Sequence, residues 1–233
     1  MSSHSFLEID MPPANVSKHE TGRSNLPPAK HVVFVVDDDI SIRESLELLI
    51  HAAGWRPELF ASAQAFLDHP LVAVPHCLVL DISLPGLDGL ELQKRVLAVR
   101  PELPIIFITG HGDVPKTVQA MKAGAVEFLT KPFPDDVLLD AIRNALERSR
   151  SYLVQVANTQ DLRDRYASLT RREQQVMKLV VDGLLNKQVG GELGISEITV
   201  KAHRGKVMQK MRADSLPDLV KMAGKLGMAS SKA

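Results

Sequence analysis

The feature that most constrains the fold is an alternation between short apolar runs and amphipathic patterns over residues 31–150. The first run, VVFVV at Val32–Val36, is rich in branched residues, which is typical of a strand buried on both faces. A helical pattern follows, with Ile42, Leu46 and Ile50 on one side. Further strands are predicted at 57–60, 77–80, 105–108 and 126–129, and further helices at 63–67, 90–99, 114–121 and 136–146. This alternation predicts a doubly wound, five-stranded parallel sheet.

Polar residues stand where these apolar runs stop. The first strand ends at Asp37 and Asp38, the third at Asp81, the fourth at Thr109, and the fifth is followed by Lys131. Right-handed crossovers bring the carboxyl ends of parallel strands to one edge of a sheet, and ligands bind at that edge. We therefore expect these five side chains to converge.

The predicted cluster suggests a specific chemistry. Carboxylates that converge raise one another's pKa unless a cation neutralises them, and Mg²⁺ is a hard cation that prefers oxygen ligands. Asp81 can act as a nucleophile that forms an aspartyl phosphate. Lys131 would pair with the phosphoryl charge, and the Thr109 hydroxyl would donate a hydrogen bond to it.

Four motifs in this region resemble the receiver domain of two-component response regulators: VVDDD, CLVLDISLPGLDGLEL, IIFITGHGD and FLTKPF, in this order. The resemblance implies a flavodoxin-like strand order of 2-1-3-4-5. It implies that a sensor histidine kinase phosphorylates Asp81. Asp38, Asp81 and the backbone carbonyl of Ser83 would bind Mg²⁺, with Asp37 in the outer shell.

The resemblance also implies a conformational switch. Thr109 and Phe128 would be its coupled residues, the Lys131-Pro132 peptide would be cis, and phosphorylation would produce a homodimer. Phe128 could equally be an ordinary core residue of its strand.

The charge distribution divides the chain. Residues 31–150 carry 11 basic and 17 acidic residues, a net charge of −6, whereas residues 151–233 carry 14 and 8, a net charge of +6. A basic second half favours nucleic acid as its partner. No apolar stretch is long enough to span a membrane, and the single cysteine, Cys77, excludes an internal disulfide and favours a cytoplasmic location.

The second half has the pattern of a helix-turn-helix unit. Thr170 and Glu173 form a capping box that opens a helix ending near Gly183, and a second helix is predicted at 187–193. Ser196 caps a third helix that runs to about residue 211, and a fourth is predicted at 216–226. On the third helix the pattern predicts that Ile198, Val207 and Met211 face inward. It predicts that Lys201, Arg204 and Lys210 face outward.

Residues 165–228 resemble the LuxR-type, FixJ-like DNA-binding domain, through the motifs NK, LGIS and TVKAHR at fixed offsets. In this arrangement the third helix enters the major groove. The predicted DNA-binding residues are Asn186, Lys187, Ser196, Thr199, Lys201, Ala202, His203, Arg204, Lys206 and Lys210. Thr199, Lys201, Ala202 and Gly205 are expected nearest the base edges, and His203, Lys206 and Lys210 toward the DNA backbone. Gly190, Gly191 and Gly205 depart from the family pattern, which has helix formers or longer side chains there.

The predicted organisation is a disordered extension at 1–30, a receiver domain at 31–148, a partly helical linker at 149–164, the DNA-binding domain at 165–228 and a tail at 229–233. We expect a cytoplasmic transcription regulator that activates transcription and is not an enzyme. Its expected partners are a sensor histidine kinase, double-stranded DNA, a second copy of the chain and RNA polymerase.

Two alternatives stay open. Haloacid-dehalogenase-type phosphatases also use a strand-end aspartate with Mg²⁺, but they need a second aspartate two residues later, where this chain has Ser83. The receiver region could instead act only as a dimer scaffold that is independent of phosphorylation. The complete set of acidic, Thr and Lys residues argues against that reading.

Overall fold

Five parallel strands form one sheet in the first half of the chain. The computed structural model describes residues 31–70, 72–110 and 114–228, so the predicted extension and tail lie outside the described residues. The strands are β1 (Val32–Val36), β2 (Arg56–Phe60), β3 (His76–Asp81), β4 (Ile105–Thr109) and β5 (Glu127–Thr130). Their order, β2-β1-β3-β4-β5, confirms the predicted doubly wound fold.

Several of the described helices begin at a residue whose side chain caps them. In the sheet domain they are α1 (Ile40–Ala52), α2 (Ala63–Leu67), α3 (Gly89–Val99), α4 (Val114–Lys122) and α5 (Asp135–Ala167). The second half contains α6 (Arg171–Val181), α7 (Asn186–Leu193), α8 (Glu197–Met211) and α9 (Leu216–Lys225). Asp39, Ser62 and Asp88 cap α1, α2 and α3, because each accepts a hydrogen bond from a backbone N–H of the first turn. No described helix is long and apolar enough to cross a lipid bilayer.

The sheet has an apolar core on each of its two faces. Alternate side chains of a strand point to opposite faces. Phe34 and Phe107 pack on one face with Phe66 of α2, whereas Val33 and Val35 pack on the other with α1 and α5. The sheet is thus covered on both sides, and the carboxyl ends of its strands are left as the edge at which polar side chains can meet.

Helix α5 is longer than the sequence pattern predicted. The prediction ended the last receiver helix at residue 146 and made the linker at 149–164 partly helical, whereas the structure shows one helix of 33 residues. Its first half is buried against the sheet, and the Ser149 hydroxyl accepts a hydrogen bond from the backbone N–H of His76 at 3.0 Å. Leu162, near its other end, is buried in the core of the second half. The two ends of α5 therefore pack in two different hydrophobic cores.

Helices α6 to α9 form a small bundle. Val200, Val207 and Met211 are the buried residues of α8. The inward placement predicted for Ile198 is wrong, because this side chain is 80% exposed. Successive residues of an α-helix are about 100° apart, so a residue two positions from buried Val200 lies on nearly the opposite side.

The glycines of the turn region have different roles. A Cβ on Gly190 would lie 2.8 Å from the backbone oxygen of Ile195, so α7 and the turn before α8 approach too closely for a side chain. Gly194 ends α7 with φ at +66°, the left-handed conformation that glycine adopts readily. At Gly191 and Gly205 an added Cβ would meet nothing within 4 Å.

Candidate acidic site and nucleic-acid interface

Three carboxylates meet at the carboxyl edge of the sheet, as the strand pattern predicted. Asp37 and Asp38 follow β1, Asp81 ends the neighbouring β3, and one oxygen from each lies within 4.8 Å of the others. Asp37 is fully buried, Asp81 is 7% exposed, and Asp38 is exposed. The cluster therefore opens to solvent on the side of Asp38.

Lys131 brings a positive charge into this cluster. Its Nζ donates hydrogen bonds to Asp37 Oδ2 at 2.8 Å and to Asp81 Oδ2 at 3.0 Å. The backbone fixes its position, because the Lys131 N–H donates to the Thr109 carbonyl at 2.7 Å and the following peptide to Pro132 is cis, as expected. The lysine thus bridges the two least exposed carboxylates.

The electrostatics of the site follow from this burial. Burial raises the pKa of Asp37, and the hydrogen bond from Lys131 opposes this effect only in part. Burial alone would lower the pKa of Lys131, but its hydrogen bonds to Asp37 and Asp81 outweigh that effect and raise it. The site therefore holds a charged lysine beside a carboxyl group that pays a desolvation cost when it ionises.

These residues fit a divalent cation with a preference for oxygen ligands. The oxygens of Asp37, Asp38 and Asp81 are close enough to share one ion, and carboxylates are hard ligands of the kind that Mg²⁺ selects. Asp81 Oδ1 also accepts a hydrogen bond from the Ser83 N–H at 3.0 Å, which orients the carboxylate.

Three residues that the sequence prediction missed support the cluster. The Asp39 N–H donates to Asp37 Oδ1 at 2.9 Å, and Arg43 Nη1 donates to the Asp37 carbonyl at 2.7 Å. A Cβ on Gly89 would lie 2.6 Å from the Asp81 carbonyl oxygen, so only glycine lets α3 begin this close to β3. The run of three aspartates was a visible signal for Asp39, whereas the other two contacts depend on tertiary packing.

The predicted switch residues lie on neighbouring strands. Thr109 ends β4 and is fully buried, and Phe128 of β5 is half-buried. The Phe128 ring centroid lies 6.2 Å from that of Phe107, its partner in the β4–β5 register. Their coupling stays a prediction.

A second candidate site is the outer surface of α8. The buried residues Val200, Val207 and Met211 define the inner side of the helix. The remaining side is exposed at Ile198, Thr199, Lys201, Ala202, Gly205, Lys206 and Gln209, and His203 and Arg204 lie half-buried at its margins. We call this exposed side the α8 outer face.

Several predicted DNA-binding residues already have partners in the domain. Ser196 caps α8 and its hydroxyl accepts from the Thr199 N–H at 3.2 Å. Arg204 Nη1 donates to Asn186 Oδ1 at 3.2 Å and so joins α8 to α7. The Nζ of exposed Lys201 lies 3.2 Å from Oε1 of Glu197, one helical turn earlier. Exposed ion pairs of this kind contribute little to stability. Lys187 is also exposed, at the start of α7.

Lys210 differs from the other basic residues of α8. Its Nζ donates to Glu173 Oε2 at 2.7 Å and to the Ser168 carbonyl at 3.1 Å, and the Glu173 side chain is 4% exposed. The hydrogen bond from Lys210 lowers the pKa of Glu173, and the bond that this carboxylate accepts from the Thr170 N–H acts in the same direction. Lys210 is therefore directed into the bundle, toward the capping box of α6.

Two family models match the chain, each over one of the regions described above. Residues 33–143 match the response regulator receiver domain, and residues 167–223 match the luxR family of bacterial regulatory proteins. The gap between the two matches lies within α5.

Named relatives match along most of their length. The chain is 51% identical over 202 residues to nodulation protein W of Bradyrhizobium diazoefficiens, covering 87% of this chain and 89% of that protein. It is 46% identical over 200 residues to the transcriptional regulatory protein FixJ of the same organism, covering 84% and 96%.

Two solved structures align with most of the chain. The response regulator StyR aligns with a TM-score of 0.75 at 51% identity, over 84% of this chain and 100% of that chain. Full-length FixJ from B. japonicum aligns with a TM-score of 0.52 at 45% identity, over 86% and 99%.

Proposed function

Because this chain belongs to the two-component response regulators that join a receiver domain to a LuxR-type DNA-binding domain, we propose that it accepts a phosphoryl group on Asp81. The donor would be a phosphohistidine of a sensor kinase. The observation that supports this proposal most is the position of Lys131, whose Nζ lies 3.0 Å from Asp81 Oδ2 and 2.8 Å from Asp37. A cation in this place can meet the charge of an incoming phosphoryl group without a new desolvation cost.

The transfer exchanges one bond for another. A carboxylate oxygen of Asp81 attacks phosphorus, the bond from phosphorus to the histidine nitrogen breaks, and the imidazole leaves with a proton. Asp38, Asp81 and the Ser83 carbonyl would hold Mg²⁺, with Asp37 in the outer shell, and the ion would neutralise charge on the transferred group. Lys131 can exchange its bond to Asp37 for one to a phosphoryl oxygen while it stays near Asp81.

The phosphorylated state would then alter the surface around β5. In our proposal the Thr109 hydroxyl turns toward the phosphoryl group, and Phe128 of the neighbouring strand moves into the space that Thr109 leaves. The resulting change at α4, β5 and α5 would favour a homodimer. A shift from 1:99 to 99:1 between two such states needs a differential binding free energy of about 5.5 kcal/mol.

The dimer would bind double-stranded DNA through its two α8 helices. Thr199, Lys201 and Ala202 of the α8 outer face would lie at base edges, and Lys206, His203 and Lys187 toward phosphates. The Asn186 to Arg204 bond and the Ser196 cap would hold α7 and α8 in place for this contact. We assign Lys210 to the internal packing of the bundle, because its hydrogen bonds go to Glu173 and Ser168. We further propose a cytoplasmic protein that activates transcription through RNA polymerase.

Phosphorylation of the purified protein tests the proposal. Incubated with MgCl₂ and acetyl phosphate, the wild-type chain should gain one phosphoryl group by intact mass and bind a selected DNA site more tightly. Asp81→Asn should abolish both effects, because the amide cannot form the acyl phosphate. Asp140→Asn is a matched control, since Asp140 is exposed on α5, and it should label as the wild type does. Full labelling of Asp81→Asn would contradict the assignment.

A further inference from the structure

Ile198 lies uncovered at the start of α8. With 80% of its surface exposed, it is the most exposed large apolar side chain of the described residues. Single exposed apolar residues are common on protein surfaces and need no special cause. The exposed residues around Ile198 on α8 indicate a specific role for this side chain.

The α8 outer face has an apolar centre and basic edges. Ile198, Ala202 and Gly205 are four and three residues apart, so they lie in one line along the helix. All three are exposed, and an added Cβ on Gly205 would meet nothing within 4 Å. Lys201 and Lys206 lie on either side of this line, about 60° to 80° from it at about 100° per residue, and both are exposed.

This distribution matches the chemistry of a major groove. Lys206 at one edge of the face is placed for a phosphate backbone, Lys201 at the other edge can reach a base edge, and the apolar centre faces the bases between them. Among the groups that bases present in the major groove, the 5-methyl group of thymine is the apolar one. Ala202 and Gly205 project little, so the helix can approach the bases closely and Ile198 becomes the longest side chain of the apolar line.

We infer that Ile198 is a specificity-determining residue that packs on a thymine 5-methyl group in each half-site. The inference rests on the proposed DNA-binding function and adds to it a residue and the chemical group that this residue recognises. It also gives a role to a branched apolar side chain that stands between exposed Glu197 and Thr199, at a position that the bundle leaves uncovered.

Removal of single methyl groups from the DNA tests this inference. Duplexes selected from a randomised pool by the phosphorylated full-length protein supply the binding site. Each thymine is then replaced by deoxyuridine, which lacks only the methyl group, and Kd is measured for the wild type and for Ile198→Ala. At one thymine per half-site the wild type should lose about fourfold in affinity, the factor for one buried methyl group. Ile198→Ala should bind the thymine and uracil forms of that position equally.

Leu48→Ala is the matched control, because Leu48 is 74% exposed on α1 of the receiver domain. It should keep the wild-type response to every deoxyuridine. If Ile198→Ala keeps the full loss at each thymine, or if the wild type ignores every methyl group, the inference is overturned while sequence-specific binding stands. If the wild type enriches no sequence from the pool, the proposed DNA-binding function is overturned, and the inference with it.

Discussion

At the scale of single residues, the acidic site combines two carboxylates whose environments differ. Asp37 is fully buried, and burial raises its pKa, whereas Asp38 is exposed beside it. An acid with a raised pKa binds protons more readily in the folded than in the unfolded state. Ionised Asp37 therefore lowers the free energy of unfolding at neutral pH, and this loss of stability decreases as pH falls through the folded pKa. The buried charge of Asp37 is thus unfavourable to folding, and a bound cation would reduce this unfavourable free energy.

This cost leads to a prediction about Mg²⁺. At neutral pH, Mg²⁺ at ten times its Kd should raise the free energy of unfolding of the receiver domain by about 1.4 kcal/mol. The gain should shrink at an acidic pH, as the pH falls through the folded pKa of Asp37, because protonation of Asp37 competes with the cation. Trp55 is the single tryptophan and packs beside α1 and the sheet, so its fluorescence reports the unfolding of this domain. Asp37→Asn should be more stable than the wild type without Mg²⁺, and an equal Mg²⁺ effect at both pH values would contradict this account.

Two lysines of α8 should respond to substitution in different ways. Lys206→Ala should weaken binding to all DNA sequences and reduce the slope of log K against log salt by about one, since one phosphate contact is lost. Lys210→Ala should leave that slope unchanged and lower the free energy of unfolding of the bundle by about 1–3 kcal/mol, because buried Glu173 loses its partner. The pKa of Glu173 is lowered in the fold, so this stability is present at neutral pH and is lost as pH falls through the folded pKa.

Calorimetry at several pH values, together with DNA titrations at several salt concentrations, separates these two effects. If Lys210→Ala reduces the slope of log K against log salt, Lys210 contacts a DNA phosphate and is not only an internal residue of the bundle.

At the scale of the secondary structure elements, the turn between α7 and α8 depends on one glycine and tolerates another. Gly190→Ala should destabilise the bundle, because its Cβ would lie 2.8 Å from the Ile195 oxygen. Gly191→Ala should stabilise it by about 0.5–1 kcal/mol, because alanine loses less backbone entropy in a helix. Calorimetry of the full chain measures both variants, with Trp55 fluorescence as a control that neither should change. Equal effects of both substitutions would contradict this distinction.

The sequence predicted the elements well where the signal is local. Thr170 and Ser196 cap their helices through side-chain bonds within the first turn, and both helices begin as predicted. The convergence of Asp37 and Asp81 could also be predicted, because parallel strands end at a common edge.

What the sequence could not give is the result of packing between distant segments. Lys210 has the pattern of a surface lysine, and only the position of α6 shows that it contacts Glu173. The need for glycine at position 190 comes from Ile195 across the turn. The incorrect prediction at Ile198 has a simpler origin: apolar character near a helix start favours burial, but the spacing from buried Val200 puts the two side chains on opposite sides of α8.

At the scale of the whole molecule, α5 is the structural connection between the two domains. Leu146 and Ser149 are buried with the sheet, and Leu162 is buried with the bundle. Arg165 Nη1 donates to the Met211 carbonyl at 3.2 Å, so the end of α5 also contacts the end of α8. Residues 150–161 between these anchors are exposed or half-exposed. A change in the receiver can therefore reach α8 through a helix that few side chains support in its middle.

This arrangement predicts the effect of breaking the helix. Ala157→Pro removes a helical hydrogen bond and costs about 3 kcal/mol in a helix interior, whereas Ala157→Gly costs about 1 kcal/mol. The proline variant should accept phosphate on Asp81 as the wild type does, but its DNA affinity should gain less from phosphorylation. The glycine variant should keep most of that gain. Mass measurement and DNA titration with and without acetyl phosphate check both expectations, and an unchanged gain in the proline variant would show that α5 does not transmit the signal.

A connection made of one helix sets an angle as well as a distance. Each residue of an α-helix adds about 1.5 Å and about 100° of rotation. One residue inserted between 150 and 161 would thus rotate the DNA-binding domain by about 100° about the axis of α5. Seven inserted residues would lengthen the connection by about 10 Å and return the domain to within about 20° of its original direction. Insertions of seven or eleven residues, about two or three helical turns, would therefore keep the direction of α8 to within about 20°, whereas a single inserted residue would present α8 to the DNA from a different side.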